Sequence, residues 1–226
     1  MRSTVILFDI DGTLVTCGGA GRRAMEAAFL DRIGRGDVCN FSFNGATDRA
    51  IARRGLEAAG VPVTAEAVDA LLERYLEHLG RTLGDAPAYR VLRGVVELLD
   101  RIEGAAGLAV GLGTGNVERG ARAKLARGGI AERFAFGGFG DDHEERARLL
   151  EAGAARGAAR LGVDRARCRV VVVGDTPRDV EAARAIGAEA IGVATGGERP
   201  EVLLAHGARA AFEDLSDPSI PAILLA

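Results

Sequence analysis

The chain has 226 residues, of which 48% are hydrophobic and 27% charged, and its net charge is −3. This is the balance of a soluble globular protein, long enough for one large domain or a domain with a smaller insertion. The charge is too small to suggest nucleic acid or an anionic membrane as partner, though a small anionic substrate needs only a local cluster of positive groups.

The first element is an apolar run, Val5 to Phe8, that stops at Asp9. It is too short for a signal-peptide core, and Cys17, Cys39 and Cys168 form no CxxC, so the chain reads as cytoplasmic with reduced thiols and no zinc site. Residues 16–90 then carry helical spacing. Met25, Ala28, Phe29 and Ile33 form one stripe, a second helix is expected from Thr47 to Ala59, and Val68, Leu71, Leu72, Tyr75 and Leu79 form a third after Thr64. Beyond them, Val95, Leu98, Leu99 and Ile102 keep helical spacing, and Leu108 to Leu112 is a second apolar run ending at Gly113 and Thr114. Val117, Ala121 and Leu125 then predict a helix with Asn116 as N-cap. Val170 to Val173 runs into Gly174 and Asp175, Pro177 to Ile186 reads as a helix closed by Gly187, and Ala190 to Ala194 runs into Thr195.

Continuous apolar runs alternating with helices predict strands buried on both faces, in a parallel sheet with helices on each side. The expected fold is therefore α/β, a doubly wound Rossmann-like core of residues 1–15 and 91–226 with an α-helical cap domain inserted at 16–90. Functional groups in such sheets belong at the carboxyl ends of the strands. Asp9, Thr114 and Asp175 all fall there.

Asp9-Ile10-Asp11-Gly12-Thr13 places two carboxylates two residues apart at a strand end, with a glycine that permits a sharp turn. Like charges so close are costly without a cation, which suggests Mg²⁺, although a plain Asp-Gly turn satisfies the same pattern. Gly174-Asp175-Thr176-Pro177-Arg178-Asp179 repeats the logic. Asp175 can complete a metal site with Asp9, and Asp179 can hold a metal-bound water or Asp175; the alternative is helix capping by Asp175 and a dipole contact by Asp179. Gly113-Thr114-Gly115-Asn116 offers a hydroxyl and backbone N–H groups at a helix start, a phosphate cradle. It also resembles a fragment of a dinucleotide fingerprint, but GxGxxG is absent and no P-loop lysine follows.

In this order the three segments resemble the motifs of the haloacid dehalogenase-like hydrolase superfamily, and the inserted helices resemble the cap of its phosphoglycolate phosphatase and phosphoglucomutase branch. The resemblance implies a Mg²⁺-dependent phosphatase. Asp9 would be the nucleophile that forms an aspartyl-phosphate, with Asp11 as acid and base. Asp9, the Asp11 carbonyl and Asp175 would hold the metal. The family's third motif is usually a lysine, and here it falls to Arg146, 29 residues before Asp175, with Arg148 a weaker rival. Thr114, the Gly115 N–H and Arg146 would hold the phosphoryl oxygens. Lys124, the single lysine, reads as a solvated charge in mid-helix, and His143 as a loop residue without a catalytic role.

Asp11 argues against the dehalogenases, which lack it, and a lysine-free cap argues against the phosphonatases. A sugar phosphomutase is the alternative, although residues 17–30 lack the histidine such enzymes carry; a phospho-Asp signalling module is a more distant one. The implied partner is a small phosphorylated metabolite, with no nucleic acid and no membrane. Arg22, Arg23 and Thr47 with Asp48 are candidate substrate contacts from the cap, the plain alternatives being a solvated face for the arginines and a helix cap for Thr47 and Asp48.

Overall fold

The computed structural model describes residues 3–226. Its centre is β1 (Thr4–Phe8), five residues all buried, which pairs in parallel with β4 (Leu108–Gly113) on one side and β6 (Arg169–Gly174) on the other. With β5 (Gly137–Gly138), β7 (Glu189–Val193) and β8 (Ala210–Phe212) they form a six-stranded parallel sheet in the order β5-β4-β1-β6-β7-β8. Alternate side chains of β1 point to opposite faces, as a pleated strand requires. Val5 and Leu7 pack with Leu149, Leu150 and Ala154 of α6 (Arg146–Arg160) and with Val180 and Ala183 of α7 (Pro177–Ala185). Ile6 and Phe8 face the other way, toward α4 (Val95–Ile102), α5 (Glu118–Arg127) and α9 (Ile220–Leu225). The short α8 (Pro200–Ala205) adds Leu203 to the first face. Helices on both faces of a parallel sheet are the doubly wound α/β architecture.

The chain leaves the sheet through β2 (Val15–Thr16) and returns through β3 (Arg90–Val91), two short strands paired antiparallel. Between them lie α1 (Ala20–Ile33), α2 (Asp48–Ala58) and α3 (Ala65–Gly84). Met25, Ala28 and Phe29 of α1 and Val68, Leu71, Leu72, Tyr75 and Leu79 of α3 are buried as the spacing predicts, while Ile33 is only partly buried. Thr47 caps α2 by accepting from the Ala50 N–H at 3.2 Å, and Thr64 caps α3 by accepting from Ala67 at 3.2 Å. Such caps satisfy N–H groups that the first helical turn leaves unpaired.

Two local expectations are corrected. The helix after Thr114 starts at Glu118, with Val117 in the N-cap position, and Asn116 turns its amide oxygen inward instead of capping. Asp175 does not cap α7. Thr176 does, in a reciprocal box in which its hydroxyl accepts from the Asp179 N–H while the Asp179 carboxylate accepts from the Thr176 N–H. Cys17 and Cys39 are buried thiols, and the buried Cys168 thiol donates to the Ser3 carbonyl at 3.3 Å. Among the described residues, no helix is long and apolar enough to cross a membrane.

Candidate active site

The register β4-β1-β6 sets Phe8 beside Leu112 and Val173, so Asp9 emerges between the ends of two neighbouring strands. Thr114 follows one of these strands and Asp175 the other. This is the switch point of the sheet, where crossovers diverge to opposite faces and leave a crevice. Asp9 anchors its own backbone by donating to the Val173 carbonyl at 2.9 Å. The chain then turns at Gly12, whose φ of 85° suits a residue without a Cβ. Space imposes the same choice, since a Cβ there would stand 2.4 Å from Asp175 Oδ2. The turn delivers Thr13, whose hydroxyl donates to Asp175 Oδ1 at 2.9 Å. On the far side, the Thr195 hydroxyl donates to the Gly12 carbonyl at 2.5 Å.

Carboxylate oxygens of Asp9, Asp175 and Asp179 lie within 4.8 Å of one another, all three residues buried. Arg146, at the start of α6, reaches into this cluster. One guanidinium nitrogen bonds Asp179 Oδ1 and lies 3.5 Å from Asp9 Oδ2. Burial pushes the Asp9 carboxyl up to about 6, against the opposing charge of Arg146, with the nearby Asp179 adding to the rise. Burial, then the charges of Asp179 and Asp9, pushes Asp175 well above the usual carboxylate range. Three buried carboxylates facing one guanidinium are short of positive charge. All-oxygen donors in a small polar space fit a hard divalent cation such as Mg²⁺. Arg146 Nε is buried without a hydrogen-bond partner, a donor left unsatisfied at the edge of this cluster.

Asp11 points elsewhere. Its side chain is 45% exposed, and Oδ2 receives a hydrogen bond from Lys124 Nζ at 2.5 Å. Burial would raise its pKa, but the charge and hydrogen bond of Lys124, with a further bond from Asn116, hold it below the ordinary value. The expectation of a solvated Lys124 is therefore overturned. The residue is 3% exposed and also donates to Asn116 Oδ1 at 3.1 Å. The physical reason lies in its own helix. Lys124 is seven residues after Val117 and three after Ala121, on the stripe that faces inward.

A cavity of about 350 Å³ joins these groups. Its core wall includes Asp9, Asp11, Thr114, Gly115, Arg146 and Asp175, and its other wall includes Arg22, Met25, Phe43, Ile51 and Tyr75 from the inserted segment. Arg22 lines the cavity, but its guanidinium already donates to the Cys39 and Phe41 carbonyls at 2.9 and 2.7 Å and lies over the Phe43 ring. Arg23 donates to the Gly18 carbonyl and stands outside the lining, as does Thr47, whose hydroxyl donates to the Glu144 carbonyl. Asp179 bonds Thr176 and Arg146 and makes no hydrogen bond to Asp175.

Two lining groups, Tyr75 and Thr195, escaped the sequence reading, and a third, Asp48, was expected at a helix cap with a substrate contact as the alternative. Asp48 is buried at the start of α2, where its Oδ2 accepts from the Val117 N–H at 2.9 Å and its own N–H donates to the Gly115 carbonyl at 2.8 Å. Tyr75 was read only as part of an apolar stripe. Thr195 follows an apolar run at a strand end, the same signal that marked Asp9 and Thr114, and was given no role.

A family model described as haloacid dehalogenase-like hydrolase matches residues 4–187. An N-acetylmuramic acid 6-phosphate phosphatase from Pseudomonas aeruginosa is 32% identical over 210 residues, covering 91% of this chain and 88% of the relative. Among solved structures, a hydrolase from Pseudomonas syringae superposes with a TM-score of 0.68 at 22% identity, covering 97% of both chains. CbbY from Rhodobacter sphaeroides, solved in complex with phosphate, does so with a TM-score of 0.70 at 17% identity, covering 96% of both. At these identities the two structures speak for the fold.

Proposed function

This chain belongs to the haloacid dehalogenase-like hydrolase family and is a phosphatase, and we propose that it hydrolyses a small phosphate monoester with Asp9 as the covalent nucleophile. The observation that carries this reading is the placement of Asp9, a buried carboxylate at a strand end with a guanidinium on one side and two further carboxylates on the other. In the proposed reaction an Asp9 oxygen attacks phosphorus in line with the leaving oxygen, and an aspartyl-phosphate forms as the P–O bond to the substrate breaks. Arg146, the Thr114 hydroxyl and the Gly115 N–H hold the other phosphoryl oxygens and offset their charge. Asp11, ionised in the resting site, takes up a proton as substrate binds and gives it to the departing alkoxide, then takes one from the water that hydrolyses the intermediate. Asp9 and Asp175, with the Asp11 carbonyl, would hold Mg²⁺, which supplies charge neutralisation at the transferring group. Asp179 holds Arg146 in place from behind.

Residues 16–90 act as a cap in this reading, closing one wall of the cavity and excluding bulk water. The cavity suits a monoester of a small metabolite. The Pseudomonas aeruginosa relative makes phosphorylated amino sugars the first compounds to test. The test is a panel of sugar and alkyl phosphates assayed with and without Mg²⁺. Release of inorganic phosphate that depends on the metal and disappears with excess chelator supports the reading. Undiminished release in chelator contradicts it.

A further inference from the structure

The protein has one lysine, and α5 carries it inward. Burying an ammonium is expensive unless it is paired and its protons are hydrogen-bonded. Lys124 meets that cost with two acceptors, Asp11 Oδ2 at 2.5 Å and Asn116 Oδ1 at 3.1 Å. One acceptor lies two residues after Asp9 and the other two residues after Thr114. A single side chain, itself lining the cavity, thus ties together the loops that carry the nucleophile and the phosphate cradle. From the inserted segment, the Tyr75 hydroxyl and Lys124 Nζ both border Gly21, 3.8 and 3.7 Å from where its Cβ would be. Asp48 adds a second negative charge nearby.

The Asp11 carboxylate is not part of the cluster formed by Asp9, Asp175 and Asp179. It has room to move, being half exposed, and the cation-poor cluster lies only two residues away. That cluster repels a further carboxylate but fixes no position for it, and a half-exposed side chain without an anchor is free to turn toward solvent, out of reach of the leaving oxygen. Acid catalysis requires the donor within hydrogen-bond reach of the atom it protonates. We propose that Lys124 is a positioning residue that holds the Asp11 carboxylate on the leaving-group side of the cavity, clear of the cluster around Asp9. The proton passed to the leaving oxygen is one that the Asp11 carboxylate takes up from solvent as substrate binds, and Asp11 gives it up as the P–O bond breaks and the Asp9–phosphorus bond forms. Lys124 keeps all of its protons throughout. This role rests on the reading of Asp11 as the acid–base group.

Leaving groups separate the possibilities. An alkoxide needs a proton to depart, whereas p-nitrophenolate departs readily without one, and kcat/KM reports events up to the first irreversible step, here P–O cleavage. Lys124→Met keeps the length of the side chain and removes its charge and donors. It should lower kcat/KM for an alkyl phosphate by about 100-fold while lowering that for p-nitrophenyl phosphate by less than about threefold. Lys124→Gln, which can still donate to Asp11, should recover part of the alkyl activity. Asp11→Asn should show the same selective loss, and adding Lys124→Met to it should cost little more, because the two act as a unit. Thermal melts establish that each variant is folded.

Equal losses on both substrates would overturn the proposal, as would a rise in KM alone, which marks direct substrate contact, or failure of both lysine variants to fold, which marks a structural role. If Asp11→Asn shows no selective loss, the acid–base reading itself falls. If it does and the lysine variants do not, only the role of Lys124 falls.

Discussion

The two sides of the cavity are built differently. On the nucleophile side, Asp9, Asp175, Asp179 and Arg146 all come from strand ends and helix starts of the sheet domain, and each is tied to its neighbours by capping or hydrogen bonds. On the leaving-group side, Asp11, Lys124 and Asn116 of the sheet domain meet Asp48 and Tyr75 of the inserted helices. The first side is complete within one layered fold. The second takes its final form only where the inserted helices rest on the loop after Thr114, through the two hydrogen bonds that join Asp48 to Val117 and Gly115. Phosphoryl chemistry varies little between monoesters, whereas leaving groups vary greatly. A fixed nucleophile half and an assembled leaving-group half match that difference.

This contrast can be broken experimentally. The largest effect is expected from Arg146→Ala, which removes the guanidinium that touches both Asp9 and Asp179. Loss of a transition-state charge contact should lower kcat by about 100-fold or more, on alkyl and aryl phosphates alike. A loss confined to alkyl substrates would place Arg146 on the wrong side of the comparison. Asp179→Asn should act through Arg146 and lower kcat by about tenfold, with a stability cost of about 1–2 kcal/mol from weakening the reciprocal cap of α7, read by denaturant unfolding.

Burial gives a pH signature to both sides, raising the Asp48 carboxyl to about 6 as it does that of Asp9, but only the Asp9 part should respond to a metal at the carboxylate cluster. The Asp9 carboxyl has its folded pKa raised from 3.8 to about 6, so across that window the folded protein binds more protons than the unfolded chain. Metal-free stability should therefore fall as pH rises from 3.8 to about 6 and stay lower above it. A cation that binds the ionised cluster offsets this loss. The rise in Tm on adding Mg²⁺ should accordingly be larger above the window than below it, and Asp9→Asn should shrink the difference. A Tm gain independent of pH would contradict the assignment of the metal to these carboxylates. The smallest effect is expected from Asp48→Ala, which removes one bond between the inserted helices and the Thr114 loop. It should cost about 1–2 kcal/mol and raise KM a few-fold while leaving kcat for p-nitrophenyl phosphate nearly unchanged.

The same contrast explains what the sequence disclosed. Asp9, Thr114 and Asp175 each follow a buried apolar run, and a parallel sheet gathers such strand ends in one crevice, so local pattern was enough to bring them together. Arg146 could be placed only through the family resemblance, as the basic residue expected before the helix that leads to the Asp175 strand. Asp48 and Tyr75 reach the cavity only through the docking of inserted helices, which leaves no local mark. Lys124 is a different case. The positions Val117, Ala121 and Leu125 that predict α5 also place Lys124 on its buried stripe, and the expectation of a solvated charge followed residue type where periodicity pointed inward. Among the strands, β5 is a Gly-Gly pair and β8 three residues, too short for a pattern of their own. They are strands because the neighbouring sheet edge supplies their hydrogen-bond partners.

The account turns on Asp9, and the most direct measurement is capture of the phosphorylated enzyme. Wild type mixed with phosphate-labelled substrate and Mg²⁺, then quenched in acid during turnover, should carry the label on a peptide containing Asp9, and Asp9→Asn should carry none and turn over no substrate. Label on a different residue, or turnover near the wild-type rate by Asp9→Asn, would contradict it.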